Sequence, residues 1–156
     1  MIYAFNTVPE EWKYDVLSSL KEGTGRFGCM YDIREDLYTD DYIADRNKCK
    51  FLEDLEKDDY VIYINMPENG KCIIARVESG YYRMEPLDKD FNHCFKVEPE
   101  SIKIFDRNSA TVPSYLRRRL KLWNKNWKIF SDNKFDALVE NLLNTPETEE
   151  PIEIAL

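Results

Sequence analysis

Apolar and polar residues first alternate over Ile2 to Asn6 (IYAFN), which predicts a short opening strand. Thr7 can then cap a helix, with Pro9 in its first turn and Glu10 and Glu11 near the positive end of its dipole. Trp12, Val16, Leu17 and Leu20 recur at helical spacing, and Gly23 and Gly25 stop the run. The GRFGCMYDI segment that follows fits neither period cleanly. Asp40 to Lys57 is charged with spaced apolar residues (Ile43, Phe51, Leu52, Leu55) and predicts one or two helical pieces.

The clearest pattern runs from Phe51 to Tyr82. Val, Ile and Tyr fill a strand over Tyr60 to Met66, Pro67-Glu68-Asn69-Gly70 reverses the chain, and a second strand returns over Lys71 to Val77. This hairpin ends in Ser79-Gly80-Tyr81-Tyr82, two rings beside a glycine, a means of building a flat binding surface. Met84 to Asp90 is a polar connection, and further strands are expected around His93 to Val97 and Ile102 to Phe105. FDRN reads as a turn, Tyr115 to Leu122 as a helical segment and Trp127 to Phe130 as a closing strand. Asn133 to Asn144 carries Phe135, Leu138, Val139, Leu142 and Leu143 at amphipathic spacing. Strands clustered between terminal helices predict an α+β fold: a small curled antiparallel β-barrel with flanking helices. Residues 1–144 are expected to form this one domain, followed by an acidic, Pro-broken tail over 145–156 that is expected to be mobile.

Composition sharpens this picture. A chain of 156 residues with 43% hydrophobic content can enclose one core without staples. No apolar run approaches the roughly 20 residues that cross a bilayer. The opening MIYAFNTVPEEW lacks the layout of a secretion signal, so the expected address is the cytoplasm, with no membrane partner. Cys29, Cys49, Cys72 and Cys94 form no CxxC and no zinc pattern, and reduced, packed thiols are expected. The formal net charge of −8 argues against loose binding to nucleic acid through charge alone. The bases are nevertheless concentrated: Arg117, Arg118, Arg119, Lys121, Lys125 and Lys128 fall in one segment free of acids, interleaved with Leu116, Leu120, Leu122, Trp123 and Trp127. Such a segment suits a rim that grips phosphates, against the plainer reading of a solvated helix face.

The layout resembles the EVE group of the PUA-like superfamily, small barrels that include the ASCH and YTH groups. The carriers are the opening IYAFNTVPEEW (Ile2 to Trp12), the Gly-aromatic-Gly element GRFG (Gly25 to Gly28) and the hairpin from Leu52 to Tyr82. Two positions depart from the family pattern: Asp58 stands where a glycine usually precedes Asp59, and Phe27 where a tryptophan is common. The resemblance implies reading of modified or unpaired nucleotides, often beside restriction or antiviral modules.

The ligand-binding set expected on this reading is Trp12, Phe27, Tyr31, Tyr81 and Tyr82 as stacking rings, with Asn6 and Asn65 as readers of a base edge. Aromatic residues also dominate cores, and Trp12, on a helical apolar stripe, fits a core role as well. No catalytic residue, metal ligand or cofactor is expected. His93 is the only histidine, lacks a second titratable partner at motif spacing, and reads as a strand histidine. Asp40–Asp41 and Asp58–Asp59 lack the alternation of a calcium loop, and GTGRFG lacks the ending of a phosphate-binding loop. The expected function is non-catalytic recognition of a nucleotide base or nucleic acid. The alternative is a protein-interaction module whose acidic surface meets a basic partner.

Overall fold

The computed structural model of the protein describes residues 1–28, 50–110, 112, 114–121, 127–129 and 140. Strand β1 (Ile2–Phe5) leads through a 3-10 turn (Glu10–Trp12) into helix α1 (Lys13–Lys21), and β2 (Thr24–Phe27) follows. Helix α2 (Phe51–Asp54) precedes the hairpin of β3 (Tyr60–Ile64) and β4 (Lys71–Arg83). Then come β5 (His93–Val97), a 3-10 turn at Pro99–Ser101, β6 (Lys103–Asp106), helix α3 (Ser114–Leu120) and β7 (Trp127–Ile129).

The strands form one sheet in the order β2-β5-β4-β3-β1-β7, with β6 also paired to β4. Strand β4 organises it. Its first half lies between β3, with Ile62 opposite Ile74, and β6, with Cys72 opposite Phe105. Register shifts at Val77/Ser79 and Ser79/Tyr82 bend its second half onto β5. Val77 exchanges backbone hydrogen bonds with Asp58 and Asp59, whereas the Arg76 carbonyl accepts from Glu98. Strands β5 and β6 therefore follow one another along one edge of β4 while β3 takes the other.

Two expectations are corrected. The sheet is mixed, because β1 runs parallel to β3, with Phe5 opposite Tyr63. It is also not closed among the described residues: the path ends at β2 and β7, so the fold is α+β with a mixed sheet. The parallel pair follows from connectivity, since α1, β2 and α2 intervene between β1 and β3 and return the chain to the same end.

Both sheet faces are covered, which explains why YVIYI and the CIIA of β4 are continuously apolar rather than alternating. Tyr3, Phe5, Val61, Tyr63, Ile73, Ala75 and Val77 face a core shared with Val16, Leu20, Leu52, Phe27 and Phe95. Their neighbours Ile2, Ala4, Ile62, Ile64, Cys72 and Ile74 face a second cluster closed by Leu116 and Leu120 of α3. Leu116 and Leu120 are four residues apart, one face of the helix, so Arg118 and Arg119 are left exposed.

The GRF of the GRFG segment, which fits no period by itself, lies in strand β2. Gly25 lies opposite Phe95, and a Cβ there would stand 2.1 Å from the Phe95 ring, so only glycine lets the strands approach. Thr7 does not cap the first helix; the chain instead enters it through the 3-10 turn, with no side-chain cap. The predicted helix over 133–144 and the tail over 145–156 lie outside the described residues apart from Glu140, as do Cys29 and Cys49. Cys72 and Cys94 are buried, and the Cys94 thiol donates to the Asn92 carbonyl. Among the described residues no helix is long and apolar enough to cross a membrane.

Candidate functional site

The ends of β1, β2 and β3 converge. Phe5 packs edge-on against Phe27 at 5.2 Å and against Tyr63 at 4.6 Å between ring centroids. The Tyr63 hydroxyl donates to the Arg26 carbonyl at 2.7 Å and accepts from the Arg26 amide at 3.0 Å. Asn6 and Thr7 leave β1 at this junction and Gly28 leaves β2. Asn6 and Gly28 are half-buried, and the Thr7 Oγ1 is buried without a hydrogen-bond partner among the described residues. Burial has pushed the Tyr63 phenol far above its ordinary value, so it stays a neutral donor at any physiological pH.

Trp12 stands beside this junction, half-buried. Its ring meets Phe91 at 5.0 Å, and the Arg26 guanidinium lies 5.4 Å from its centroid. Arg26 is held rigidly: Nε donates to the Phe91 carbonyl at 2.9 Å, and one terminal nitrogen donates to the Asp90 carbonyl at 2.9 Å and to Asp88 at 3.2 Å. The Asp88 carboxylate is lowered from its ordinary pKa, first by the Lys89 amide donating to it and also by Arg26. With its charge already matched, Arg26 orients the Trp12 ring as a cation over its face.

The aromatic residues singled out from sequence take different places. Phe27 is 1% exposed and edge-on to both Phe5 and Phe51, so it is a core residue rather than the wall of an open cage. Tyr81 is buried as well, its hydroxyl sharing a 2.8 Å hydrogen bond with His93 Nδ1. That contact fits His93 as a strand histidine. Tyr82, half-buried on the opposite side of β4, reaches the Thr24 hydroxyl at 3.5 Å. Tyr31 lies outside the described residues. Asn65 follows the end of β3, and its side chain is engaged in the turn beyond it. It adopts φ +60 in the β3–β4 turn, where its side-chain oxygen accepts from the Gly70 amide and from Arg107.

Of the basic segment, Arg118, Arg119 and Lys121 are exposed, Arg117 is half-buried, Lys128 lies in β7 opposite Tyr3, and Lys125 lies outside the described residues. Sequence reading passed over Arg26 and Arg107. Arg26 sits in the Gly-aromatic-Gly element beside Phe27, and Arg107 in the FDRN segment, whose composition reads as a turn. The turn is present, with the Asn108 amide donating to Asp106 at 2.7 Å, but Arg107 reaches beyond it. Comparison with models of protein families, with curated proteins and with solved structures finds no match for the chain.

Proposed function

We propose that the chain is a non-catalytic recognition domain that takes a nucleotide base, free or in single-stranded nucleic acid, at the junction of β1, β2 and β3. The carrying observation is the buried Thr7 hydroxyl, without a partner among the described residues, beside half-buried Asn6 at the end of β1, in the segment that runs on to the half-buried Trp12. A ring for stacking and amide and hydroxyl groups for an edge are the parts base recognition needs. The site so drawn uses Asn6, Thr7 and Trp12 and leaves Phe27 and Tyr81 to the core. The exposed bases of α3 give the phosphates of a longer ligand a surface to meet.

The resemblance to the EVE group belongs to this proposal, and one backbone feature supports it. Asp58, standing where that group has glycine, adopts φ +75, the left-handed conformation that glycine supplies without steric cost. The test is a titration of modified mononucleotides and single-stranded oligonucleotides against the full chain. Binding that Thr7→Val and Asn6→Ala each weaken about tenfold or more supports the proposal, since an unmet polar group on the ligand costs that much. Silence across the panel ends it.

The burial of Phe27 and Tyr81 favours one other reading, a protein-interaction module in which the sheet is scaffold. Recovery of one defined basic protein partner, lost when residues 145–156 are deleted, would carry that reading instead.

A further inference from the structure

Four cations among the described residues lie against a carboxylate. Lys13, Arg26, Lys71 and Arg76 each lie within 3.4 Å of Glu10, Asp88, Glu68 and Glu98 respectively. Arg107 and Arg117 differ from these four. Both are half-buried, both have a buried Nε without a hydrogen-bond partner, and neither meets a carboxylate among the described residues. Arg107 is nonetheless fixed in position. One terminal nitrogen donates to Asn65 Oδ1 at 2.8 Å and to the Leu120 carbonyl at 3.4 Å, while its backbone amide donates to Gly70 at 3.1 Å. Leu120 ends α3, and Arg117 starts the turn that Leu120 closes. Arg107 thus reaches the last turn of the short helix to which Arg117 belongs, and Arg118 and Lys121 are exposed in the same stretch.

We propose that Arg107 and Arg117 form a phosphate-binding subsite at the last turn of α3, one that holds a phosphodiester of a nucleic-acid strand. The proposal rests on the nucleic-acid reading above and names the residues that meet its backbone. Capping the negative end of α3 accounts for the Arg107 contact to Leu120. It does not account for a buried Nε, whose desolvation stays uncompensated until an acceptor arrives. A phosphate oxygen pair suits the guanidinium fork, which donates through Nε and a terminal nitrogen in one plane. Asn65 acts as a positioning residue: its left-handed turn aims an amide oxygen that keeps Arg107 directed at α3.

The test uses the full chain and two fluorescent probes, a short oligothymidylate and the matching abasic phosphodiester oligomer, with anisotropy read across a salt series. Wild type is expected to bind both. Arg107→Gln and Arg117→Gln should each weaken the abasic oligomer roughly tenfold or more and flatten the slope of log affinity against log salt by about 0.7. Arg107→Lys should keep the slope while losing affinity, because it keeps charge without the fork. Wild-type affinity and slope in a folded Arg107→Gln protein would overturn the subsite; if that variant does not fold, Arg117→Gln decides alone. Wild type that binds oligothymidylate and ignores the abasic oligomer also overturns it, leaving the base site standing. Unchanged oligothymidylate binding by Thr7→Val, with the arginine effects intact, removes the base site and keeps the subsite.

Discussion

Replacing Tyr63 with phenylalanine removes a single oxygen and tests how the sheet is held. Strand β2 ends the strand path, and its outer edge at Arg26 is met by the Tyr63 hydroxyl reaching over from β3. That hydroxyl serves two backbone groups at 2.7 and 3.0 Å, in a side chain 1% exposed. Tyr63→Phe leaves the ring against Phe5 but strands a buried N–H and C=O, each at about 1–3 kcal/mol. A loss of about 2–6 kcal/mol follows, and for a domain of this size that lowers the melting temperature by roughly 4–24 °C. Urea and thermal unfolding followed by far-UV circular dichroism measures it, with a native-like spectrum before the transition. A loss below about 0.5 kcal/mol, the level of an ordinary surface change, refutes the bridge.

Phe27→Ala should cost about 3–5 kcal/mol by urea midpoint, the cost of a core cavity; near-wild-type stability would return the ring to an open site. Asp58→Gly relieves a left-handed residue at φ +75 and should stabilise by up to about 1 kcal/mol, so a lower midpoint contradicts the strained reading. Stability should fall in alkali. Burial, then Asp59, Asp54 and Glu56, pushes Tyr3 up from 10.0 to about 12, and burial pushes Cys72 up from 9.0 to about 12. Both groups hold their protons in the folded state, so their contribution is complete below pH 9.0 and is lost as pH rises through about 12. A urea midpoint that stays flat across that window contradicts the assignment.

Where local chemistry decides, the elements were legible in the sequence. The Pro67–Gly70 reversal and the apolar runs beside it specify the β3–β4 hairpin, and Val16 and Leu20 specify the buried face of α1. His93–Val97 appears where its β-branched and aromatic content puts it. What sequence hid depends on contacts across the chain. GRF lies in a strand because Gly25 accepts the Phe95 ring over it, a partner 70 residues on. The parallel pairing of β1 and β3 is set by how far the intervening elements carry the chain, which periodicity does not encode. Phe27 looked available because it stands between glycines; those glycines make room for Phe95 and Phe91 around it instead. The anchoring of Arg107 by Asn65, 42 residues earlier, has no local signature at all.

The direct test is residue-level mapping by amide and indole NMR of the full chain as a single-stranded oligonucleotide is added. The account predicts that the amides of Asn6, Thr7 and Gly28 and the Trp12 indole shift together and saturate at one affinity, with the α3 amides moving alongside. Shifts confined to other surfaces, with those four signals unmoved at saturation, would contradict it.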